Sequence, residues 1–184
     1  PLVDNSLAKI GRCLDRLRML VDNIILCSRL EEGQDICQPL PLDIQSFLSD
    51  IVSRLHEVYT GERIELRIHA ETSFYGDPSL CEHIFTNILS NALKYSRERD
   101  KVLLEVIPHT RYCSIRITDK GVGMSGKDIA RLGEKFFRSA RVKHISGSGL
   151  GMHLTCRFMD YHKGWMVICS EEDAGTIIDL RFPL

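Results

Sequence analysis

"NILSNALKYS", Asn87 to Ser96, is the stretch on which the fold turns. It lies in a run with helical apolar spacing, in which Ile84, Ile88, Ala92 and Tyr95 form one stripe. At about 100° per residue, Asn87, Asn91 and Lys94 form a narrow polar stripe beside it. Asparagine is a mediocre helix former and costs free energy when buried unpaired. Taken alone, such residues are most often a solvated flank. At the border of a core, the same trio can face a cleft. An amide oxygen is a neutral, hard ligand suited to a hydrated Mg²⁺, and a lysine meets a phosphate as a point charge.

Working outward, the chain reads as α+β on both sides of this helix. Asp77-Pro78 is a cap followed by a first-turn proline that opens it. Upstream, Asp43 can cap a helix carrying Ile44, Phe47, Leu48, Ile51, Val52 and Leu55, and "RIELRIHA" alternates as a strand. Downstream, "KVLLEVIP" and "YCSIRIT" read as two strands joined by a short loop. A short helix follows around "KDIARLG", then a helix in "GLGMHLTCRFMDYHKG" ending at Gly164. "WMVICSE" and "TIIDLRF" close the chain as strands around the turn "EDAGT".

Two glycine elements flank a basic segment. "TDKGVGM", Thr118 to Met124, puts Asp119 at a strand end, with Gly121 and Gly123 after it. A carboxylate there can accept from an exocyclic amine, and glycines let backbone approach a flat ring. "GSGLG", Gly147 to Gly151, opens a helix, where freed amides and the helix dipole suit anionic oxygens. It is neither the dinucleotide fingerprint nor a Walker A loop: no strand precedes it and no G-K-[ST] follows. Between the two, Phe136-Phe137 can anchor a loop whose Arg138, Arg141, Lys143 and His144 give it a positive face, as a lid over phosphates needs.

Each element alone is common; their order is specific. It resembles the histidine-kinase branch of the ATPase superfamily shared with type II topoisomerases, mismatch-repair proteins and heat-shock chaperones. "NILSNALKYS" is similar to the N box, "DKGVGM" to the first glycine box, "KFFR" to the F box and "GSGLGM" to the second glycine box. The resemblance covers roughly Leu42 to Leu184. It implies a two-layer α/β sandwich of the histidine-kinase/gyrase ATPase type that binds ATP and Mg²⁺. By this likeness Asn91 would hold Mg²⁺, with Asn87 supporting the metal or its waters. Lys94 would approach the phosphates and Tyr95 the nucleoside, and Asp119 would accept from the adenine amine beside Gly121 and Gly123. Gly147, Gly149, Leu150 and Gly151 would form the phosphate turn, and Arg138, with Arg141 or Lys143 as further candidates, would meet the γ-phosphate. The hydrolysing relatives carry a glutamate at the place of Asn87. An amide cannot take a proton at neutral pH, which favours transfer over hydrolysis. Asn87, Lys94 and Arg138 are thus the expected catalytic residues, acting by positioning and charge.

The N-terminal segment reads as a long bundle-forming helix preceding this sandwich. Leu7, Ile10, Leu14, Leu17, Val21 and Ile24 step by three and four, and Cys13, Leu20 and Cys27 widen the seam. At 1.5 Å per residue it is roughly 40 Å long. It ends near Glu32-Gly33 and "CQPLPLD", whose prolines cannot sit inside a helix. The expected division is 1–38, helix and linker, and 39–184, the ATP-binding domain. "NIILCSRLEEG" resembles the second helix of a dimerisation and phosphotransfer domain, which implies a homodimer and a response regulator or phosphotransfer protein as partners.

No acceptor histidine fits. His56-Glu57 mimics the acceptor dipeptide, yet falls at the end of a helix inside the second domain. A chain starting at Pro1 reads as a piece of a kinase whose acceptor lies elsewhere. The competing reading is an acceptor-less nucleotide-binding module working by hetero-association, with an anti-sigma-type serine kinase third. The net charge of −1 lacks a nucleic-acid footprint. No apolar run spans a bilayer, so this part has no expected membrane contact, although the parent protein can be membrane-anchored. Seven scattered cysteines without a C-x-x-C pair fit a reducing cytoplasm better than zinc or disulfides.

Overall fold

The computed structural model describes residues 17, 21–28, 30, 32, 37–59, 61–70, 73–145 and 147–184. The chain divides into two compact units, Pro1–Ile36 and Cys37–Leu184. In the first, residues 21–28 are helical, and Leu17, Val21 and Ile24 of the expected seam are each more than half exposed. Leu7, Ile10, Cys13, Leu14, Leu20 and Gly33 lie outside the described residues.

In the second unit the order is β1 (Leu40–Asp43), α1 (Ile44–Val58), β2 (Ile64–Ile68), β3 (Ser73–Gly76) and α2 (Pro78–Tyr95). Then come β4 (Val102–Pro108), β5 (Tyr112–Asp119), α3 (Gly126–Ile129), a 3₁₀ turn (Ala140–Val142), α4 (Gly151–Tyr161), β6 (Trp165–Glu171) and β7 (Gly175–Pro183). The five-stranded sheet runs β2-β4-β5-β7-β6; only the β2–β4 pair is parallel.

Strand alternation decides the layers. Cys113, Ile115 and Ile117 of β5 and Ile178, Leu180 and Phe182 of β7 turn inward and are buried. Against them pack Ile84, Phe85, Ile88 and Leu89 of α2 and Leu154 and Phe158 of α4, all buried. Tyr112, Ser114 and Arg116 alternate with that β5 set, and Asp179 and Arg181 with the β7 set, so they face the side without helices. The expected two-layer sandwich is therefore present.

Four local expectations need correction. "LPLD", read from the sequence only as part of a proline-marked boundary, forms β1, a strand that pairs with β3, where proline is tolerated at a sheet edge. This ribbon joins the core through Phe74, whose ring centroid lies 4.5 Å from that of Phe182. The "KDIARLG" helix covers only Gly126–Ile129 before the chain turns. Helix α4 stops at Tyr161, and the left-handed position that ends it is taken by Lys163 (φ 52°), not Gly164. Gly164 serves close packing instead: a Cβ there would lie 2.6 Å from the Arg181 carbonyl oxygen. Finally, of the expected Phe136-Phe137 anchor only Phe137 is half-buried; the Phe136 side chain is 66% exposed.

Candidate functional site

Helix α2 is held at both ends before any ligand is considered. Asp77 caps it, accepting from Leu80 N–H at 3.0 Å and from Gln38 N–H at 2.8 Å. At the other end the Arg63 guanidinium donates to the Leu93 carbonyl (3.2 Å), a last-turn group the helix cannot satisfy itself, and to the Arg97 carbonyl (2.7 Å) just past it. Asn87, Asn91 and Lys94 sit half-buried on the flank of this fixed helix, beside fully buried Ile84 and Ile88.

The Asn87 carboxamide is oriented from two sides. Its Nδ2 donates to Thr155 Oγ1 of α4 at 2.9 Å, and its Oδ1 accepts from Asn91 Nδ2 at 3.4 Å. Helix α4 reaches this close because its first residue is Gly151: a Cβ there would lie 2.8 Å from Asn87 Cγ. Leu150, the residue before it, is 2% exposed and offers no side-chain cap, and its own N–H donates to Ser148 Oγ at 3.2 Å.

Asp119 ends β5 half-buried, and its Oδ1 accepts from Gly121 N–H at 2.7 Å. Burial pushes its carboxyl up from the ordinary aspartate range, against backbone hydrogen bonds from Gly121 and Thr176 that pull it down. A carboxylate so placed gains from a further donor. Gly121 stands directly on the end of α2, with a Cβ position 2.7 Å from the Tyr95 carbonyl oxygen. Gly123 takes a left-handed φ of 61° against the Glu171 carbonyl. Tyr95 is half-buried, and burial raises its phenol, an effect the nearby Arg138 charge opposes.

The segment between the glycine elements returns to the same helix. A Cβ on Gly147 would lie 3.3 Å from Lys94 Nζ and 3.8 Å from Arg138 Nε, so these two cations flank that turn. Gly149 (φ 75°) packs on the Phe136 backbone, and its carbonyl accepts from Phe136 N–H at 3.1 Å. The Arg138 Nη2 donates to the carbonyls of Val142 (2.8 Å), Lys143 (3.3 Å) and Ile145. Arg141 bridges the β6–β7 turn and the first glycine element: it pairs with Asp173 at 2.6 Å and Glu172 at 3.7 Å, and donates to the Val122 carbonyl at 3.1 Å. Lys143 is exposed and lines an open pocket of about 540 Å³ with Arg131, Phe136, Phe137 and Arg138.

Asn87, Asn91, Lys94, Tyr95, Gly121, Gly147 and Gly151 are thus gathered along one helix, with Asp119 bonded to Gly121 and Arg138 beside Gly147, whereas Gly123 packs on Glu171, Gly149 packs on Phe136, and Leu150 is buried. Sequence reasoning missed Thr155 and Arg63. Each acts through a contact distant in sequence, and neither type is unusual where it stands. It also missed Gly175, whose φ of 103° and close approach to the Asp119 carbonyl are signalled only by the turn "EDAG". His56 is structural, its Nε2 accepting from Ile64 N–H at 3.3 Å.

Comparison with known proteins bears on the family and the fold. Residues 76–184, more than half of the chain, match the family described as "Histidine kinase-, DNA gyrase B-, and HSP90-like ATPase". The sensor protein kinase WalK of Staphylococcus aureus (strain MRSA252) is 29% identical over 175 residues, covering 92% of this chain and 29% of WalK. WalK of Staphylococcus haemolyticus (strain JCSC1435) is 30% identical over 176 residues, with the same shares. The chain thus spans under a third of the length of these relatives. In fold, it is similar to the mycobacterial sensor histidine kinase MprB, with a TM-score of 0.69 and 24% identity over 79% of this chain and 97% of that one. It is also similar to full-length ShkA in complex with AMPPNP, with a TM-score of 0.78 and 22% identity over 92% of this chain and 36% of that one.

Proposed function

Because the chain belongs to the histidine kinase-, DNA gyrase B- and HSP90-like ATPase family, we propose that it is the ATP–Mg²⁺-binding catalytic part of a two-component sensor histidine kinase, transferring the γ-phosphate to a histidine outside these residues. One observation carries the reading: both glycine elements pack on the asparagine-bearing helix, Gly121 at the Tyr95 carbonyl and Gly151 at the Asn87 carboxamide. Three regions distant in sequence therefore meet along one helix.

Within this reading Asp119 accepts from the exocyclic amine of adenine, which offsets the burial of its carboxyl. Gly121 and Gly123 admit the base, and Tyr95 borders the nucleoside. Lys94 and Arg138, either side of Gly147, supply positive charge for the phosphates, with Gly149, Leu150 and Gly151 completing the turn. Arg138 reaches a γ-phosphate by exchanging its lid carbonyls for phosphate oxygens. The donor set fits Mg²⁺: two neutral amide oxygens one turn apart, half-buried, leave room for retained waters. Asn91 would hold the ion and Asn87 would support it; the ion supplies charge neutralisation at the phosphates. Asn87 offers no base for water, so a delivered acceptor is phosphorylated.

Residues 1–38, helix and linker, are proposed as part of the dimerisation and phosphotransfer domain, giving a homodimer that serves a response regulator or phosphotransfer protein on the cytoplasmic side. Among the described residues no helix is long and apolar enough to cross a membrane.

The test is Asp119→Asn titrated with a fluorescent ATP analogue. Binding is expected to be lost while the far-UV spectrum and unfolding midpoint persist; unchanged affinity refutes the adenine role. Radiolabelled γ-phosphate transfer to a cognate phosphotransfer partner separates the kinase from an acceptor-less module, which would bind ATP and transfer nothing.

A further inference from the structure

We propose that the helix-free face of the sheet, at the corner where β5 and β6 begin on either side of β7, is a docking surface for an acidic polypeptide segment carrying an aromatic side chain. Three rings meet there. His109 stacks on Tyr112 with centroids 4.4 Å apart, and Tyr112 meets Trp165 edge-on at 5.3 Å. Trp165 is 43% exposed. Single exposed aromatics are ordinary on a protein surface. A cluster of rings with arginines is not ordinary: Trp, Tyr and Arg are the residues that anchor interfaces.

The cations are arranged in advance. The Arg181 guanidinium lies 5.3 Å from the Tyr112 ring centroid and donates to Asp179 Oδ2 at 2.9 Å. Arg116 donates to the same oxygen at 3.4 Å, and Ser114 Oγ donates to Oδ1. Asp179 is 4% exposed although it stands on the sheet face that no helix covers. A buried carboxylate therefore fixes two guanidiniums, that of Arg181 against the Tyr112 ring, which lowers the side-chain entropy lost when a partner binds. Arg111 is exposed at the rim. The other nearby carboxylate, Glu105, opposite Arg116 in the register, is turned to His69 at 3.2 Å. The exposed charge around the rings is cationic, so the complementary partner is acidic.

Shape favours a polypeptide over a small molecule. Pro108, His109, Thr110, Arg111, Tyr112 and Trp165 line a pocket of about 660 Å³, which admits one aromatic side chain. It opens broadly on the strand surface rather than enclosing a ligand as small-molecule sites do. Tyr112 begins β5 and Asp119 ends it. At about 3.3 Å per residue the two sites are roughly 23 Å apart, so a partner at this corner leaves the nucleotide site open.

Trp165 is the only tryptophan of the chain, so its fluorescence reports this pocket directly. The 184-residue chain is titrated with the end-blocked peptide EDEFEDE, and with KKKFKKK and EDEAEDE as controls. A saturable change is expected with EDEFEDE, weakened about tenfold or more by either control and by Arg111→Glu. Binding of the fluorescent ATP analogue is expected to be unchanged in Arg111→Glu, which keeps this test separate from that of the nucleotide site. No saturable change, an equal response to KKKFKKK, or unaltered peptide affinity in Arg111→Glu would overturn the proposal. So would quenching of Trp165 by ATP alone, or self-association by sedimentation that Trp165→Ala abolishes, since these assign the corner to a nucleotide or to a second copy.

Discussion

At Asn87 one carboxamide links the two helices of the site, α2 and α4: its nitrogen donates to Thr155 at 2.9 Å and its oxygen accepts from Asn91 at 3.4 Å. Thr155 is 1% exposed, so its hydroxyl acts on Asn87 and not on solvent. Thr155→Val keeps the shape and removes the acceptor, at a cost of about 0.5–1.5 kcal/mol for one hydrogen bond. Nucleotide affinity measured with Mg²⁺ is expected to fall by roughly three- to tenfold. Affinity measured in chelator should stay put, and Thr155→Ser should restore the first without altering the second. Gly151→Ala tests the same contact from α4, since its Cβ would collide with the Asn87 carboxamide. The unfolding midpoint should drop. Adding Asn87→Ala should recover the midpoint but not nucleotide binding, whereas recovery of both would remove Asn87 from the site.

At the level of elements, α2 is the scaffold to which everything else is referred, and its ends are secured by long-range partners. Asp77 is 7% exposed and bonds both Leu80 N–H and Gln38 N–H. Asp77→Ala is expected to cost about 1–2 kcal/mol as a lost cap, read as a lower urea midpoint, with a further penalty for the unpaired Gln38 N–H. The segment carrying Arg138 and Arg141 is held more lightly. Arg141 pairs with Asp173 and Glu172, whose side chains are 78% and 52% exposed, so the contact contributes about 0–1 kcal/mol. Asp173→Asn keeps a residue that tolerates the left-handed φ of 63°. It is expected to leave global stability unchanged while speeding amide exchange at residues 140–145. Protection equal to the parent protein would show that the lid is held by other contacts.

For the molecule as a whole, stability is tied to pH through His162, buried where α4 meets β3, α2 and β7. Its Nδ1 donates to the Phe158 carbonyl at 2.7 Å and its Nε2 accepts from Asp77 N–H at 2.9 Å. Burial depresses its pKa below the ordinary 6.5, although Asp77 opposes the shift. Below pH 6.5 the unfolded chain therefore binds the proton first. This contribution is present above that value and is lost as pH falls through the depressed one. The urea midpoint should decline between pH 7.5 and 5.5, and the decline should be blunted in His162→Gln. What the sequence determined alone was whatever local chemistry dictates: helix starts at Asp43 and Asp77, strand alternation in β4, β5 and β7, and glycines at turns and helix starts, whose order already pointed to the ATPase family. Tertiary structure alone decided the β1–β3 ribbon, the β2-β4-β5-β7-β6 order, the exposure of Phe136, the diversion of Arg141 to the β6–β7 turn, and the seating of Asn87 on Thr155. Each of these joins residues far apart in the chain, so it depends on which surfaces meet once the core has closed, and no window of neighbouring residues contains that information.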